Sequence, residues 1–178
     1  MDSKDADKYD IERYAGTSSR CAQQVLESEA ALRHWPICAA DISKAFLQGV
    51  TYEELSRLTG EPLREVNFYL PAYNIAHLRT LPGFEDFDPQ AEVLHCDKPG
   101  TGSVGAPRAF SMKLAGVLKH IGMTSSAVDP ELWYRHKNGS LQMVMSKDVD
   151  DLKATGPRVI VTKVFAEIQR TFGGMKIN

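Results

Sequence analysis

Residues 132–155 constrain the fold more than any other part of the chain, because they contain apolar, strand-like runs separated by tight turns. The runs 132–135 and 141–145 flank residues 137–139 (KNG), and an Asn-Gly pair between apolar runs is the strongest short-range signal for a β-hairpin. An acidic turn at 148–151 (DVDD) precedes a third run, which predicts a second hairpin. Consecutive hairpins of this kind predict an antiparallel sheet.

Four segments have the apolar spacing of amphipathic helices. Their predicted starts, each at a favoured cap or first-turn proline, are residues 17–19 (TSS), Thr51, Pro107 and Pro157. In the first helix, Cys21, Val25, Leu32 and Trp35 are expected to form the buried face. Short strands are predicted at 37–42, 66–70 and 93–96. This order predicts an α+β fold in which helices pack on one face of an antiparallel sheet.

The composition is that of an ordinary globular domain, with 43% apolar and 25% charged residues. No apolar run approaches the roughly 20 residues that a membrane span needs, and the acidic start of the chain does not resemble a secretory signal. A cytoplasmic or nuclear, non-secreted protein is expected, with a polar, flexible segment 1–16 before one domain at 17–178. The three cysteines form no CxxC pair and are interpreted as small buried apolar residues. A net charge of −2 gives no independent support for nucleic-acid binding.

The acidic turn 148–151 is the sharpest chemical feature of the sequence. Three carboxylates in four residues repel one another unless a cation neutralises them, and such oxygen ligands suit Mg²⁺ or Mn²⁺. A solvated acidic surface turn is the competing interpretation. Asp41 ends a separate apolar run, where an ionised side chain is costly to bury without a partner or a metal. Two strands that deliver carboxylates to one sheet edge are what a two-metal phosphoryl-transfer site requires.

The segment 41–49 (DISKAFLQG) resembles the first palm motif of copia-type retrotransposon reverse transcriptases. Further segments resemble motifs of the same family in the same order: 81–84 (LPGF), 106–110 (APRAF), 129–132 (DPEL), and 149–152 (VDDL) with Gly156 downstream. On this resemblance, the chain is identified as a member of the family, an RNA-directed DNA polymerase region of a Pol polyprotein. The resemblance implies a palm with partial fingers at 17–178, without a thumb or an RNase H domain.

The resemblance also implies the residues of the site. Asp41, Asp150 and Asp151 would be catalytic and hold the metals, which are Mg²⁺ or alternatively Mn²⁺, and Ile42 would contribute its backbone carbonyl. The partners would be an RNA or DNA template-primer and deoxynucleoside triphosphates, with no membrane. Two nucleotide-binding residues follow in the same way. Phe46 falls at the aromatic position that excludes a ribose 2′-hydroxyl, although a plain core phenylalanine has the same appearance; Arg108 would lie near the template or nucleotide, although an exposed helix arginine is equally consistent.

Two positions depart from the family pattern. Asp148 stands where a non-acidic residue is usual, and Val104-Gly105 replaces a polar pair. The main alternative function is therefore a catalytically inactive remnant of a mobile element. Two weaker alternatives are a dinucleotide site at 100–105 (GTGSVG) and a glycosyltransferase-like D-x-D at 148–150, which leaves Asp41 unexplained.

Overall fold

The computed structural model describes residues 16–178; the predicted flexible segment, apart from Gly16, lies outside the described residues. The helices are α1 (Arg20–Arg33), α2 (Tyr52–Thr59), α3 (Ala72–Leu78), α4 (Ala106–His120) and α5 (Arg158–Phe172), with a 3-10 helix at Ala45–Gln48. The strands are β1 (Ile37–Ile42), β2 (Asn67–Phe68), β3 (Leu94–His95), β4 (Thr124–Ser125), β5 (Leu132–Lys137), β6 (Ser140–Asp148), β7 (Asp151–Thr155) and β8 (Met175–Ile177). In the part of the chain described, no helix combines the length and apolarity that a membrane span requires.

Six strands form one sheet in the order β4-β5-β6-β7-β1-β8, and every neighbouring pair is antiparallel. A second, two-stranded sheet joins β2 and β3. The predicted hairpin turn is present, since Asn138 and Gly139 have φ values of 52° and 74°, as a type I′ turn requires. The predicted α+β class and the antiparallel sheet are confirmed.

Helices lie on both faces of the large sheet. Met143 and Met145 belong to the main core, together with the buried faces of α4 and α5. The alternate residues Val144 and Ser146 are also buried, although they point to the opposite face. Helix α1 packs against β6 and β7 on that opposite face. The prediction that the helices pack on one face is therefore wrong, because α1 covers the second one.

The buried face of α1 also differs from the prediction. Its buried residues are Ala22, Leu26 and Ala30, whereas Val25 and Leu32 are exposed. Cys21 is exposed as well, so the interpretation of all three cysteines as buried is wrong. The physical reason is that small and apolar residues spaced four apart form one stripe, in which the alanines let the helix backbone lie close to the sheet.

Helix α5 follows the sequence pattern. All five predicted core positions are buried: Val161, Val164, Phe165, Ile168 and Phe172. Phe172 contacts Phe110 of α4 edge-to-face, with ring centroids 5.5 Å apart. The segment that follows β1 packs tightly on α4, because a Cβ added to Gly49 would lie 2.9 Å from the Cβ of Ala109. A hydrogen bond from the Val50 amide to the Ala109 carbonyl, 3.2 Å long, completes this contact.

Candidate active site

The acidic turn is the tight connection between β6 and β7. Asp148 and Asp151 are paired residues of this hairpin, so Val149 and Asp150 form its tip. Val149 has a φ of 55°, a left-handed conformation that costs a β-branched residue roughly 1–3 kcal/mol. The Asp150 carbonyl accepts a 3.2 Å hydrogen bond from the Ile42 amide, which links the tip to the end of β1. The turn is therefore held by a neighbouring strand.

Asp41 and Asp151 are direct partners across β1 and β7. Directly opposite residues in an antiparallel pair have Cβ atoms about 4.5–5.5 Å apart and point to the same face. Asp148, opposite Asp151 in the hairpin, extends this into a row of three carboxylates across β1, β7 and β6. We call Asp41, Asp148 and Asp151, with Asp150 at the turn, the acidic row.

The acidic row lies on the face of the sheet that carries α1. Its neighbours Ile42 and Leu152 belong to the main core beneath α4 and α5, and side chains alternate along a strand. The carboxylates therefore point away from that core. Lys153, two residues after Asp151, points to the same face, and its Nζ lies 3.0 Å from Oε1 of Glu27 in α1.

The carboxylates of the acidic row repel one another. Although Asp151 is exposed, partial desolvation raises the pKa of its carboxyl, and the charges of Asp150, Asp41 and Asp148 raise it further. Within residues 16–178, no salt bridge neutralises any of the four. Within the described residues, the row is therefore a concentration of negative charge at neighbouring ends of β1, β6 and β7, with Lys176 of β8 opposite Asp41.

The donor atoms of the acidic row are of the kind that Mg²⁺ and Mn²⁺ prefer, because all of them are carboxylate oxygens. Their side chains do not form a preformed metal cage: in the described part of the chain, no group of three or more His, Cys, Asp or Glu residues is arranged to hold a metal ion. Aspartate side chains rotate between staggered conformers. Binding of a metal here therefore requires their reorientation.

The two predicted nucleotide-binding residues have structural contacts of their own. Phe46, in the 3-10 helix, is half-buried and packs against the main core. Arg108, in the first turn of α4, places Nη1 2.9 Å from both carboxylate oxygens of Glu61, and its side chain is only 12% exposed. This pair links α4 to the segment after α2. The predicted contacts of both residues with a nucleotide stay predictions.

The glycine-rich segment 100–105 does not belong to a dinucleotide-binding unit. The strand before it, β3, is two residues long and pairs antiparallel with β2. A dinucleotide fold needs a parallel βαβ unit, and the strand pairs of the described chain are antiparallel. The topology excludes this alternative.

A buried polar cluster beside the acidic row was missed in the sequence. Lys147, immediately before Asp148, is 1% exposed. Its Nζ lies 2.6 Å from Glu131 Oε2 and 2.6 Å from Ser111 Oγ on α4. Its amide also donates to the Glu131 carbonyl at 2.9 Å. The sequence signal for this burial is the alternation of side chains along a strand. Lys147 follows Met143 and Met145 at a spacing of two, which places it on the core face.

Comparison with known proteins gives two partial similarities. The chain is 28% identical over 131 residues to the retrovirus-related Pol polyprotein from transposon RE2 of Arabidopsis thaliana, covering 74% of this chain. It is 29% identical over 124 residues to the corresponding polyprotein from transposon RE1 of the same plant, covering 70% of this chain. The aligned regions span only 8% and 7% of those polyproteins. No family model and no solved structure matches the chain. The two similarities support the derivation of this chain from a retrotransposon Pol polyprotein.

Proposed function

We propose that this chain is the polymerase region of a copia-type retrotransposon Pol polyprotein, an RNA-directed DNA polymerase that extends a primer on an RNA or DNA template. The observation that carries the proposal is the pairing of Asp41 with Asp151 beside the turn that contains Asp150. Residues that are far apart in the chain, and that belong to two motifs resembling the same family, thus meet at neighbouring ends of two inner strands. The similarity to two Pol polyproteins supports the same conclusion.

In this proposal, Asp41, Asp150 and Asp151 hold Mg²⁺ with the Ile42 carbonyl, and Mn²⁺ is the alternative ion. The chemistry supplied by bound metal is activation of the primer 3′-hydroxyl and neutralisation of charge on the leaving group. The protein's part is to present three carboxylates on a rigid strand pair and hairpin. Repulsion within the row makes a divalent cation a favourable ligand there, since it removes the electrostatic cost of bringing the acids together.

The remaining predicted residues have supporting roles. Phe46 is only partly buried by its packing against the main core, and its exposed part would contact the sugar of an incoming deoxynucleotide and exclude a 2′-hydroxyl by collision. Arg108, oriented by Glu61, would stabilise the template or the nucleotide through its guanidinium group. The partners are thus a template-primer and deoxynucleoside triphosphates.

Primer extension tests the proposal. The parent chain should extend a labelled primer only when Mg²⁺ or Mn²⁺ is present, and Asp41→Asn and Asp150→Asn should each reduce extension to background while circular dichroism shows an unchanged fold. Asp148→Asn is the matched control, because it removes the same charge from the same row without removing a proposed ligand. It should retain extension, and Asp148→Tyr should increase it if the extra acid displaces the metal.

The possible results separate the proposal from its alternative. Equal extension by parent, Asp41→Asn and Asp150→Asn would disprove the assigned roles. A folded parent chain that binds template-primer but gives no extension with either metal would favour the inactive remnant. That alternative rests on the two departures from the family pattern, the fourth carboxylate that Asp148 adds to the row and the Val104-Gly105 pair.

A further inference from the structure

A groove runs between α4 and α5 on the side of the sheet away from the acidic row. It consists of two adjoining cavities of about 370 and 460 Å³, both lined by His120 and Glu167. Arg135 of β5 lines the first cavity. Trp133, two residues earlier in the same strand, belongs to the core on this face, so Arg135 points to the same side of the sheet. We call this feature the helix groove.

The helix groove carries an excess of positive charge. The lysine and arginine side chains in its lining are Lys113, Arg135, Lys163 and Arg170. The carboxylate in its lining is Glu167, which already pairs with Arg170 at an Nη1–Oε2 distance of 2.7 Å. The chain as a whole carries a net charge of −2. Positive charge is therefore concentrated here, against the sign of the whole molecule.

The cations lie at both ends of the groove. The first cavity is lined by His120, at the C-terminal end of α4, and by Lys163 of α5. The second is lined by Lys113 of α4 and Arg170 of α5, so the two helices run antiparallel along the groove. Lys163 and Arg170 are separated by about two helical turns, or roughly 10 Å. The middle of the groove is open at Gly116, because a Cβ added there would meet no atom within 4 Å.

We propose that the helix groove binds a single nucleic-acid strand through its phosphates. A strand that carries one negative charge per nucleotide matches cations placed at both ends of a groove of this length. Packed helices lie about 8–10 Å apart, and the depression between them admits one strand better than a duplex. The lining contains no Phe, Tyr or Trp on which bases could stack, so binding should be independent of sequence.

This inference goes beyond the proposed polymerase activity and does not depend on it. The groove lies on the opposite face of the sheet from the acidic row, so binding there requires no metal. A strand held in the groove would occupy a second nucleic-acid site of the same chain, separate from a template-primer at the acidic row.

The test is fluorescence anisotropy of a short labelled oligothymidylate in EDTA, measured over a series of KCl concentrations. The double variant Lys113→Gln/Lys163→Gln should bind about tenfold more weakly at low salt, and the slope of log K against log[KCl] should become shallower by about 0.7 for each phosphate that the variant no longer neutralises. The matched control is Lys119→Gln/Arg158→Gln, which removes two exposed charges from the same two helices outside the groove. It should change affinity by less than about twofold.

A second pair of variants tests the groove without touching its cations. Gly116→Glu and Gly116→Gln add side chains of equal size at an open position, and only the first adds negative charge. Gly116→Glu should weaken binding severalfold more than Gly116→Gln. Circular dichroism and thermal unfolding confirm that all variants are folded.

Several results would overturn the inference. These are no binding by the parent chain, equal losses of affinity in the two double variants, or no difference between Glu and Gln at position 116. Competition by polyglutamate as strong as that by unlabelled oligothymidylate would assign the groove to acidic peptides instead. Primer extension with metal tests the polymerase proposal, whereas oligothymidylate binding in EDTA tests this one, so failure of the polymerase proposal and failure of this one are distinguishable.

Discussion

Glu131 and Lys147 form a 2.6 Å ion pair that is almost completely buried, one residue away from the acidic row. Removal of one partner leaves the other charge buried and uncompensated, which typically costs about 3–5 kcal/mol. We therefore expect Lys147→Met to lower the free energy of unfolding by about that amount, measured by urea denaturation. The double variant Lys147→Met/Glu131→Leu should recover most of the loss, because no unpaired charge is left inside.

The exposed pair Lys153–Glu27 is the matched control for this prediction. Its side chains are 40% and 52% exposed, so Lys153→Met should cost less than about 1 kcal/mol. Equal destabilisation by Lys147→Met and Lys153→Met would show that burial of the first pair contributes nothing to stability.

Repulsion in the acidic row should destabilise the metal-free protein. Partial desolvation and the neighbouring acids raise the pKa of Asp151 in the folded state. The folded protein therefore binds this proton more readily than the unfolded chain does, and stability falls as the pH rises through the shifted pKa. Asp151→Asn should increase the free energy of unfolding at neutral pH in EDTA. This gain should shrink in acid, where the parent carboxyl is protonated.

The matched control for Asp151 is Asp86→Asn, an exposed carboxylate outside the row. It should leave urea denaturation at neutral pH nearly unchanged. A loss of stability in Asp151→Asn at neutral pH would contradict the expected repulsion.

Asp129 should show the opposite pH dependence. Burial alone would raise the pKa of Asp129, but hydrogen bonds from the side chain and amide of Ser19 and from the Glu131 amide lower it below its ordinary value of 3.8. The stabilisation is therefore complete above the unfolded-state pKa and is lost as the pH falls through the folded-state value. Asp129→Asn should be less stable than the parent by about 1 kcal/mol above roughly pH 5, with the difference closing in stronger acid. Urea denaturation of both proteins across this range measures it, and a difference that grows in acid would contradict the assignment.

Replacement by alanine should have opposite effects on stability at two glycines, Gly116 and Gly49. Gly116 is in the interior of α4 with open space at its Cβ position, so Gly116→Ala should stabilise the protein by about 0.5–1 kcal/mol. A Cβ added to Gly49 would meet the Ala109 Cβ at 2.9 Å and the Phe110 amide nitrogen at 3.0 Å. Gly49→Ala should therefore destabilise the protein by about 1–3 kcal/mol. Thermal unfolding of both variants provides the measurement. A shift of the unfolding temperature in the same direction for both would contradict the close packing of Gly49 on α4.

Local features of the fold were predictable from the residues. The Asn138-Gly139 turn, the bounds of β1 and the buried face of α5 follow from signals that act within a few residues: turn conformation, strand alternation and helical spacing. The tendency of Asp148, Asp150 and Asp151 to lie together is likewise local, because a two-residue turn joins their strands. Helix α3 lacked such signals and was not predicted.

Tertiary structure decided which distant residues meet. The pairing of Asp41 with Asp151 depends on the insertion of β1 between β7 and β8, and a one-residue shift of register would send Asp41 into the core. The face that α1 buries, the partner of Lys147 and the basic lining of the helix groove depend in the same way on packing between separate elements. Periodicity along a chain defines the faces of a helix or strand, but only the neighbour that covers a face determines what is buried there.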